Sequence, residues 1–422
     1  MKKRIQKAAV LCAKKTLVLV SVCSLVLSLT GCSKGEKREQ VKLTVWGSEE
    51  SQDMMRQMAD EFIESNQKQA DIEISLGVEP EKTLPESVES NPKRAADIFW
   101  FADDQMVRLT TVDALLPITQ HTDEVIEANG GEDSPSVQCA MEDGKLYAYP
   151  ATASNGYFMF YNAKYFSDED VKTLDGMLAV AEKKDKKLAM DWSSGWYISS
   201  FFKGAGLELY ATEDGKANVC NWNATDTEYT GVDVAKAMLA ISSSKAFTNI
   251  GDEEFREGIA SNRIIAGVNG PWNASYIEKQ WGEDYRAVKL PTYTLKGKQV
   301  QMASFRGCKL VGVNANTKYP EWAMRFAEWM TNYQNQLLRF ELTGERPANI
   351  KAEKTEKVQS SQVAQALEAQ EPYSDRQRVA ESFWTPATAF GTVMAAGNLE
   401  GRDIQELLDE LVNKTEEPVT EK

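Results

Sequence analysis

Apolar and polar positions alternate from Val41 to Trp46 (VKLTVW), and the β-branched residues among them predict a strand. Met54, Met55, Met58 and Phe62 then recur at helical spacing, so Ser51–Ser65 reads as an amphipathic helix. Asp71–Leu76 (DIEISL) is a second strand, and Ala96–Phe101 (ADIFWF) is an uninterrupted apolar run suited to a strand buried on both faces. This β–α–β–α–β order predicts an α/β sheet domain. Residues 145–149 and 157–161 are strand-like. The chain then turns mostly helical through Trp192, Trp196, Phe201 and Phe202, with helices over 232–247 and 252–260. Arg263–Val268 reads as a strand ending in the turn signal Asn269-Gly270-Pro271. A strand over Lys309–Val313 precedes one amphipathic helix over Glu321–Leu338, whose stripe of Trp322, Phe326, Trp329 and Tyr333 belongs to a core. Residues 351–370 are charged and Gln/Ala-rich, an exposed helix or crossover, and residues 413–422 (NKTEEPVTEK) are expected to be a loose tail.

The first 31 residues do not fit this pattern. Lys2, Lys3, Arg4, Lys7, Lys14 and Lys15 precede an uncharged run from Thr16 to Thr30, shorter than the roughly 20 apolar residues a bilayer span needs. Such a segment is an export signal and stands outside the fold. Leu29-Thr30-Gly31-Cys32 resembles a bacterial lipobox, which implies cleavage before Cys32 and lipid on its sulfur. Residues 33–40 (SKGEKREQ) carry no sizeable apolar side chain and read as a tether.

Removing six basic and no acidic residues takes the net charge from −15 to about −21, so the mature surface repels nucleic acid and anionic headgroups. What is left is ample for two or three domains. Cys139, Cys220 and Cys308 remain, an odd number without a CxxC pair; they are expected as buried thiols, although one disulfide would be possible in an export compartment. The single histidine, His121, sits in a polar stretch, which argues against clustered-histidine metal sites and against His-based nucleophilic catalysis. No cofactor is called for.

Several of the ten tryptophans stand beside turns or polar clusters rather than inside apolar stripes. Trp46 precedes Gly47-Ser48-Glu49-Glu50, Phe101 precedes Ala102-Asp103-Asp104-Gln105, Trp272 follows Asn269-Gly270-Pro271, and Trp384 lies in Ser382-Phe383-Trp384-Thr385-Pro386. Ligands of open α/β sheets gather beyond the carboxyl ends of strands, where the first two clusters fall. Flat aromatic faces beside carboxylates and amides suit a sugar, whose C–H patches lie on an indole while its hydroxyls take polar partners. Trp46 and Trp100 read as core, Trp100 because it points to the opposite side of its strand from Phe101. Arg306 and Arg346 read as solvent or salt-bridge residues.

Asn269-Gly270-Pro271-Trp272 resembles the NGPW turn of bacterial maltose/maltodextrin-binding proteins, of the extracellular solute-binding family that serves ABC importers. Residues 94–104, Lys145–Pro150 followed by Phe160-Tyr161-Asn162, Leu290-Pro291-Thr292 and Ser382-Phe383-Trp384 resemble further family segments in the same order. The resemblance spans most of 41–412. It implies an α/β, two-lobed periplasmic-binding-protein-like fold, each lobe a β-sheet flanked by helices, with a hinge between them. The expected divisions are a signal peptide 1–31, a tether 32–40, an N-lobe of 41–151 with 303–352, a C-lobe of 152–302 with 353–412, and a tail 413–422. It also implies sugar contacts from Asp104, Phe101, Trp272 and Trp384, with Glu49 and Glu50 in the first loop.

Some positions depart from the family pattern. Gln105 stands where relatives carry an arginine, and Asn155 where a glutamate is expected. The third aromatic platform falls on Trp196, with Trp192 the other candidate. The implied function is a lipid-anchored receptor on the outer face of the cell membrane, of the Gram-positive type. It would be a monomer that captures malto-oligosaccharides and hands them to importer membrane subunits. Xylo-, galacto- or fructo-oligosaccharides are alternatives. A glycosidase is disfavoured: Asp103 and Asp104 are neighbours on an extended segment and would point apart, whereas glycoside hydrolysis needs two carboxylates facing one bond about 5–10 Å apart.

Overall fold

The computed structural model describes residues 38–153, 155–212 and 215–419. The export signal, Cys32 and most of the tether lie outside the described residues. The molecule has two lobes, each built on a five-stranded mixed sheet flanked by helices. In the first sheet the strands run in the order Ala70–Val78, Glu39–Gly47, Ile98–Ala102, Lys309–Val313, Ala148–Pro150; the first three are parallel and the last two pair antiparallel. The second sheet runs Phe247–Thr248, Lys187–Ala189, Ile264–Asn269, Phe158–Asn162, Tyr285–Val288, again with three parallel strands and two antiparallel pairings.

Each sheet has its own apolar core. In the first lobe the Gln52–Asn66 helix buries Met54, Met55, Met58 and Phe62, and Phe62 meets Trp322, Phe326 and Trp329 edge-on or tilted. The second lobe is more aromatic: Trp222 stacks on Phe202 at 4.0 Å, and Trp192 lies 4.4 Å from Phe247. The chain passes between the lobes after Pro150, again between Ser304–Arg306 and Lys309–Val313, and finally after the Tyr333–Thr343 helix. Phe305 belongs to the second core and Cys308 to the first, so the middle passage falls at Arg306-Gly307.

Four local expectations change. The first strand begins at Glu39, inside the expected tether, because Arg38 and Gln40 both engage Asp71 of the neighbouring strand. The helix expected over 321–338 is two helices, Pro320–Met330 and Tyr333–Thr343, because Asn332 accepts the Asn335 N–H and starts a new one. The 232–247 helix stops at Ser242, where Ser242 and Ser243 hydroxyls turn back onto backbone carbonyls and Phe247–Thr248 becomes an edge strand. The expected tail is not loose up to Val419. The Ile404–Glu416 helix covers its first four residues, Thr415 is wholly buried, Glu416 accepts the Cys220 N–H at 3.1 Å, and the Val419 N–H reaches the Lys216 carbonyl. The 351–370 stretch is a crossover of three short helices whose Ala352, Val358, Val363, Ala366 and Leu367 are buried.

Candidate ligand-binding cleft

The carboxyl ends of the Ile98–Ala102 and Ile264–Asn269 strands, one from each sheet, face the boundary between the lobes. On the second lobe the Ile264–Asn269 strand ends in Gly270-Pro271-Trp272. Gly270 leaves room for the ring to fold back over the turn, since a Cβ there would stand 1.9 Å from the Trp272 ring. Asp252, at the start of the Asp252–Ala260 helix, organises the turn. Its carboxylate accepts from Asn269 at 2.8 Å, Asn273 at 3.0 Å and Trp272 Nε1 at 3.1 Å. The half-buried Trp272 thereby meets Trp196, with ring centroids 5.7 Å apart and planes 35° from parallel. Tyr157 supports Trp196 from below at 4.6 Å, its hydroxyl donating to the Trp196 carbonyl.

The first lobe supplies the polar side. After the Ile98–Ala102 strand a single turn, Asp103–Gln105, sends its two carboxylates apart. Asp103 turns inward, and its Oδ1 accepts the Cys308 N–H at 2.9 Å. Asp104 turns to the other lobe, where the Gln377 side chain favours its charged form; the same Gln377 accepts from Trp196 Nε1 at 2.7 Å. Burial of the Asp104 carboxyl, reinforced by the charge of Asp103, pushes its pKa up to about 7, and its Oδ1 is buried without a partner. An acceptor held in this state is suited to a hydroxyl donor arriving from a ligand.

A buried ionic cluster lies beneath the cleft. Lys309 Nζ is 2.9 Å from Glu345 and 3.0 Å from Glu81, and Arg339 Nε is 2.5 Å from Glu345. Burial alone would raise the Glu345 pKa, but Arg339 and Lys309 hold it down to about 2. Lys309 Nζ also stands 5.7 Å over the Trp272 ring, a cation–π contact between the lobes. Arg108 takes Glu89 in a bidentate pair and reaches Glu381 of the second lobe at 3.6 Å. The lobes thus touch across the cleft.

The structure brings together Trp196, Trp272 and, through Gln377, Asp104. Gln105 lies beside them, its amide donating to the Glu81 carbonyl at 2.7 Å. Trp384 is half-buried at the start of the Trp384–Ala395 helix, edge-on to Phe305 and Phe383. Asn155 sits at the lobe boundary, its N–H on the Gly307 carbonyl. Glu49 and Glu50 stay exposed in a turn after the first strand.

Phe101 is a correction. It is wholly buried against Phe99 and under Gly312, because the strand is covered on both faces and has no side free to face the cleft. Trp192 is likewise core, which leaves Trp196 as the accessible ring. Trp100 is buried beneath the Arg339 guanidinium at 4.3 Å. Arg346 pairs with Glu353 and Arg306 with Glu371. Sequence reasoning missed Gln377, Asp252 and Lys309. Gln377 lies in the featureless Asp375-Arg376-Gln377-Arg378 stretch, and only the parallel pairing of Ser374–Arg376 with Ser304–Arg306 carries it to the boundary. All three remaining cysteines are free and buried, and the His121 side chain is 59% exposed beside Glu328. Among the described residues no group of three or more His, Cys, Asp or Glu is arranged to hold a metal.

A family model, bacterial extracellular solute-binding protein, matches residues 57–366. The chain belongs to that family. It is a solute-binding protein and not an enzyme, with the two-lobed fold described above. It is 24% identical to the galactooligosaccharide-binding protein of Bacillus subtilis over 417 residues, covering 92% of this chain and 94% of that one. It is 25% identical over 235 residues to a maltooligosaccharide ABC transporter solute-binding lipoprotein of Streptococcus pneumoniae, covering 52% of this chain and 53% of the relative. Among solved structures, the unliganded maltodextrin-binding protein of L. casei superposes with a TM-score of 0.72 at 22% identity, covering 89% of this chain and 99% of that one, a likeness of fold. Among the described residues of this solute-binding protein no helix is long and apolar enough to cross a membrane.

Proposed function

We propose that this solute-binding protein captures an oligosaccharide, of the malto type by preference, between its two lobes. The observation that carries the reading is the Trp196–Trp272 pair facing Asp104 across the boundary. Two tilted indoles offer platforms for consecutive pyranose rings, and a carboxylate with a free buried oxygen offers the hydroxyl acceptor. Trp384 supplies a further aromatic edge, and Gln105, Glu50, Glu49 and Asn155 line the approach. Because the contacts are divided between lobes, ligand favours the closed form over the open one, and closure is the signal an importer reads.

Cys32 carries lipid in this reading, the tether holds the receptor on the outer face of the membrane as a monomer, and separate ABC importer subunits receive the sugar. The relative named as a lipoprotein supports the anchor. Titration calorimetry with maltotriose and longer glucans tests the ligand: saturable heat supports the malto reading, and no heat across a maltodextrin panel removes it. A galacto-oligosaccharide is the second reading, favoured by the relative that matches over nearly its whole length; a glycan array separates the two. An exported Cys32→Ala form that sustains sugar uptake as well as the parent would remove the tether from the mechanism.

A further inference from the structure

Cys139 and Cys308 are distant in the chain and share the core of the first lobe, where Cys308 Sγ points onto the helix that ends at Cys139, 4.0 Å from the Pro135 carbonyl. Cys139 closes the short Pro135–Cys139 helix, and Cys308 follows the Arg306-Gly307 passage between lobes. Asp103 clamps Cys308 from both sides: it accepts the Cys308 N–H at 2.9 Å and donates its own N–H to the Cys308 carbonyl at 3.1 Å. Gly307 is tight against the same clamp, since a Cβ there would lie 2.4 Å from Asp103 Oδ1. The cover over the pair comes from the second lobe. Arg376 ends the Ser374–Arg376 strand, and its Nη2 stands 3.4 Å from Cys139 Sγ. The Cys308 hydrogen bond and the Arg376 charge hold Cys139 below the ordinary thiol range, whereas its partner Cys308 is pushed up. A nucleophilic thiol and a resolving thiol therefore lie side by side.

We propose that Cys139 and Cys308 form a redox-active dithiol at the lobe boundary, oxidised to a bridge by a small extracellular disulfide when the lobes part, and that the bridged form closes less readily because Arg376 of the second lobe no longer meets the free Cys139 sulfur. The Cys139 thiolate attacks one sulfur of the small disulfide RSSR, the S–S bond breaks, and RS⁻ departs. Cys308 gives its proton to that leaving thiolate and attacks Cys139 Sγ, expelling the second RS⁻, which takes up a proton from solvent. The protein dithiol is oxidised by two electrons and RSSR is reduced to two RSH. Formation of the bridge does not depend on which sugar binds; access of the oxidant and the effect on closure both rest on the lobe motion proposed above.

The test treats the purified mature protein with oxidised glutathione, unfolds it in denaturant with iodoacetamide present to trap remaining thiols, and maps peptides without reduction. One linked pair joining Cys139 to Cys308 is expected, with Cys220 alkylated; Cys220 is an internal control, buried in the second lobe with its pKa pushed up to about 12. Cys308→Ser should arrest the reaction as a glutathione adduct on Cys139. Arg376→Gln should bridge several-fold more slowly, because the Cys139 thiolate loses the charge that favours it. Alkylation of both thiols after oxidation, or a bridge to Cys220, overturns the proposal. Small-angle scattering without sugar then compares oxidised with reduced protein. A larger radius of gyration on oxidation is expected, and an unchanged one overturns the link to closure. Neither readout needs a sugar, so both stand if the oligosaccharide reading fails.

Discussion

The indole Nε1 of Trp196 donates to the side-chain oxygen of Gln377 at 2.7 Å, and the same glutamine lies by Asp104 of the other lobe and favours its charged form. One side chain thus sets the direction of an aromatic platform and of a carboxylate acceptor together. Gln377→Leu keeps the volume and removes the bond to Trp196 together with the polar neighbour of Asp104. Calorimetry should read about a tenfold loss of oligosaccharide affinity, the value of one hydrogen bond of about 1–1.5 kcal/mol. Gln377→Glu should lose more at pH 8 than at pH 5, because it adds a like charge beside Asp104.

Trp272 is half-buried and held by Asp252, so removing its ring should harm binding more than folding. For Trp272→Ala a loss of about 2 kcal/mol is expected, roughly thirtyfold in Kd, as for other central aromatic anchors. An unchanged Kd would remove the ring from the site.

The proposed closure should depend on pH through Asp104 even without ligand. In the closed form its pKa is raised to about 7; an open, hydrated Asp104 would titrate near the ordinary 3.9. Between those values the closed form holds a proton that the open form does not, so closure takes up a proton and weakens as pH rises. The closed fraction without sugar should fall from pH 4 to pH 7.5 and level off above, by at most about tenfold per pH unit. Small-angle scattering across that range measures it, and Asp104→Asn should flatten the dependence.

Glu345 serves two buried cations, Lys309 and Arg339. Glu345→Gln strands that charge, with only Glu81 left on Lys309. A loss of about 3 kcal/mol in urea unfolding of the first lobe is expected. The Glu345 pKa is depressed to about 2, so its contribution is complete above the ordinary carboxylate value and is lost only as pH falls toward 2.

The last turn of the Ile404–Glu416 helix closes the second lobe. The Thr415 carbonyl accepts from Asn218 at 3.0 Å and from Ser382 at 2.8 Å. Truncation after Val412 should lower the thermal midpoint by several degrees, on the order of 2 kcal/mol for these bonds together. A truncated protein with an unchanged midpoint would return the segment to the status of a tail.

Most elements were legible in the chain because burial imposes a local period. The alternation in VKLTVW, the helical spacing of Met54, Met58 and Phe62, and the apolar run before Asp103 each mark an element whatever surrounds it. The turn that presents Trp272 was equally local, since a glycine must let the ring fold back. The tertiary structure decided the rest. Phe101 ends its strand beside a polar loop, yet it is core because the sheet is covered on both faces there. Trp192 and Trp196 could not be separated by sequence, because which of the two stays accessible depends on how Phe201 and Phe247 close over the other. Gln377, Lys309 and the Cys139–Cys308 pair carry no periodic signal at all. They meet their partners only because the chain passes between lobes at Arg306-Gly307 and returns, bringing residues far apart in sequence to one boundary. Periodicity encodes which side of an element is buried, while the pairing of polar groups across that boundary is a property of how the finished lobes meet.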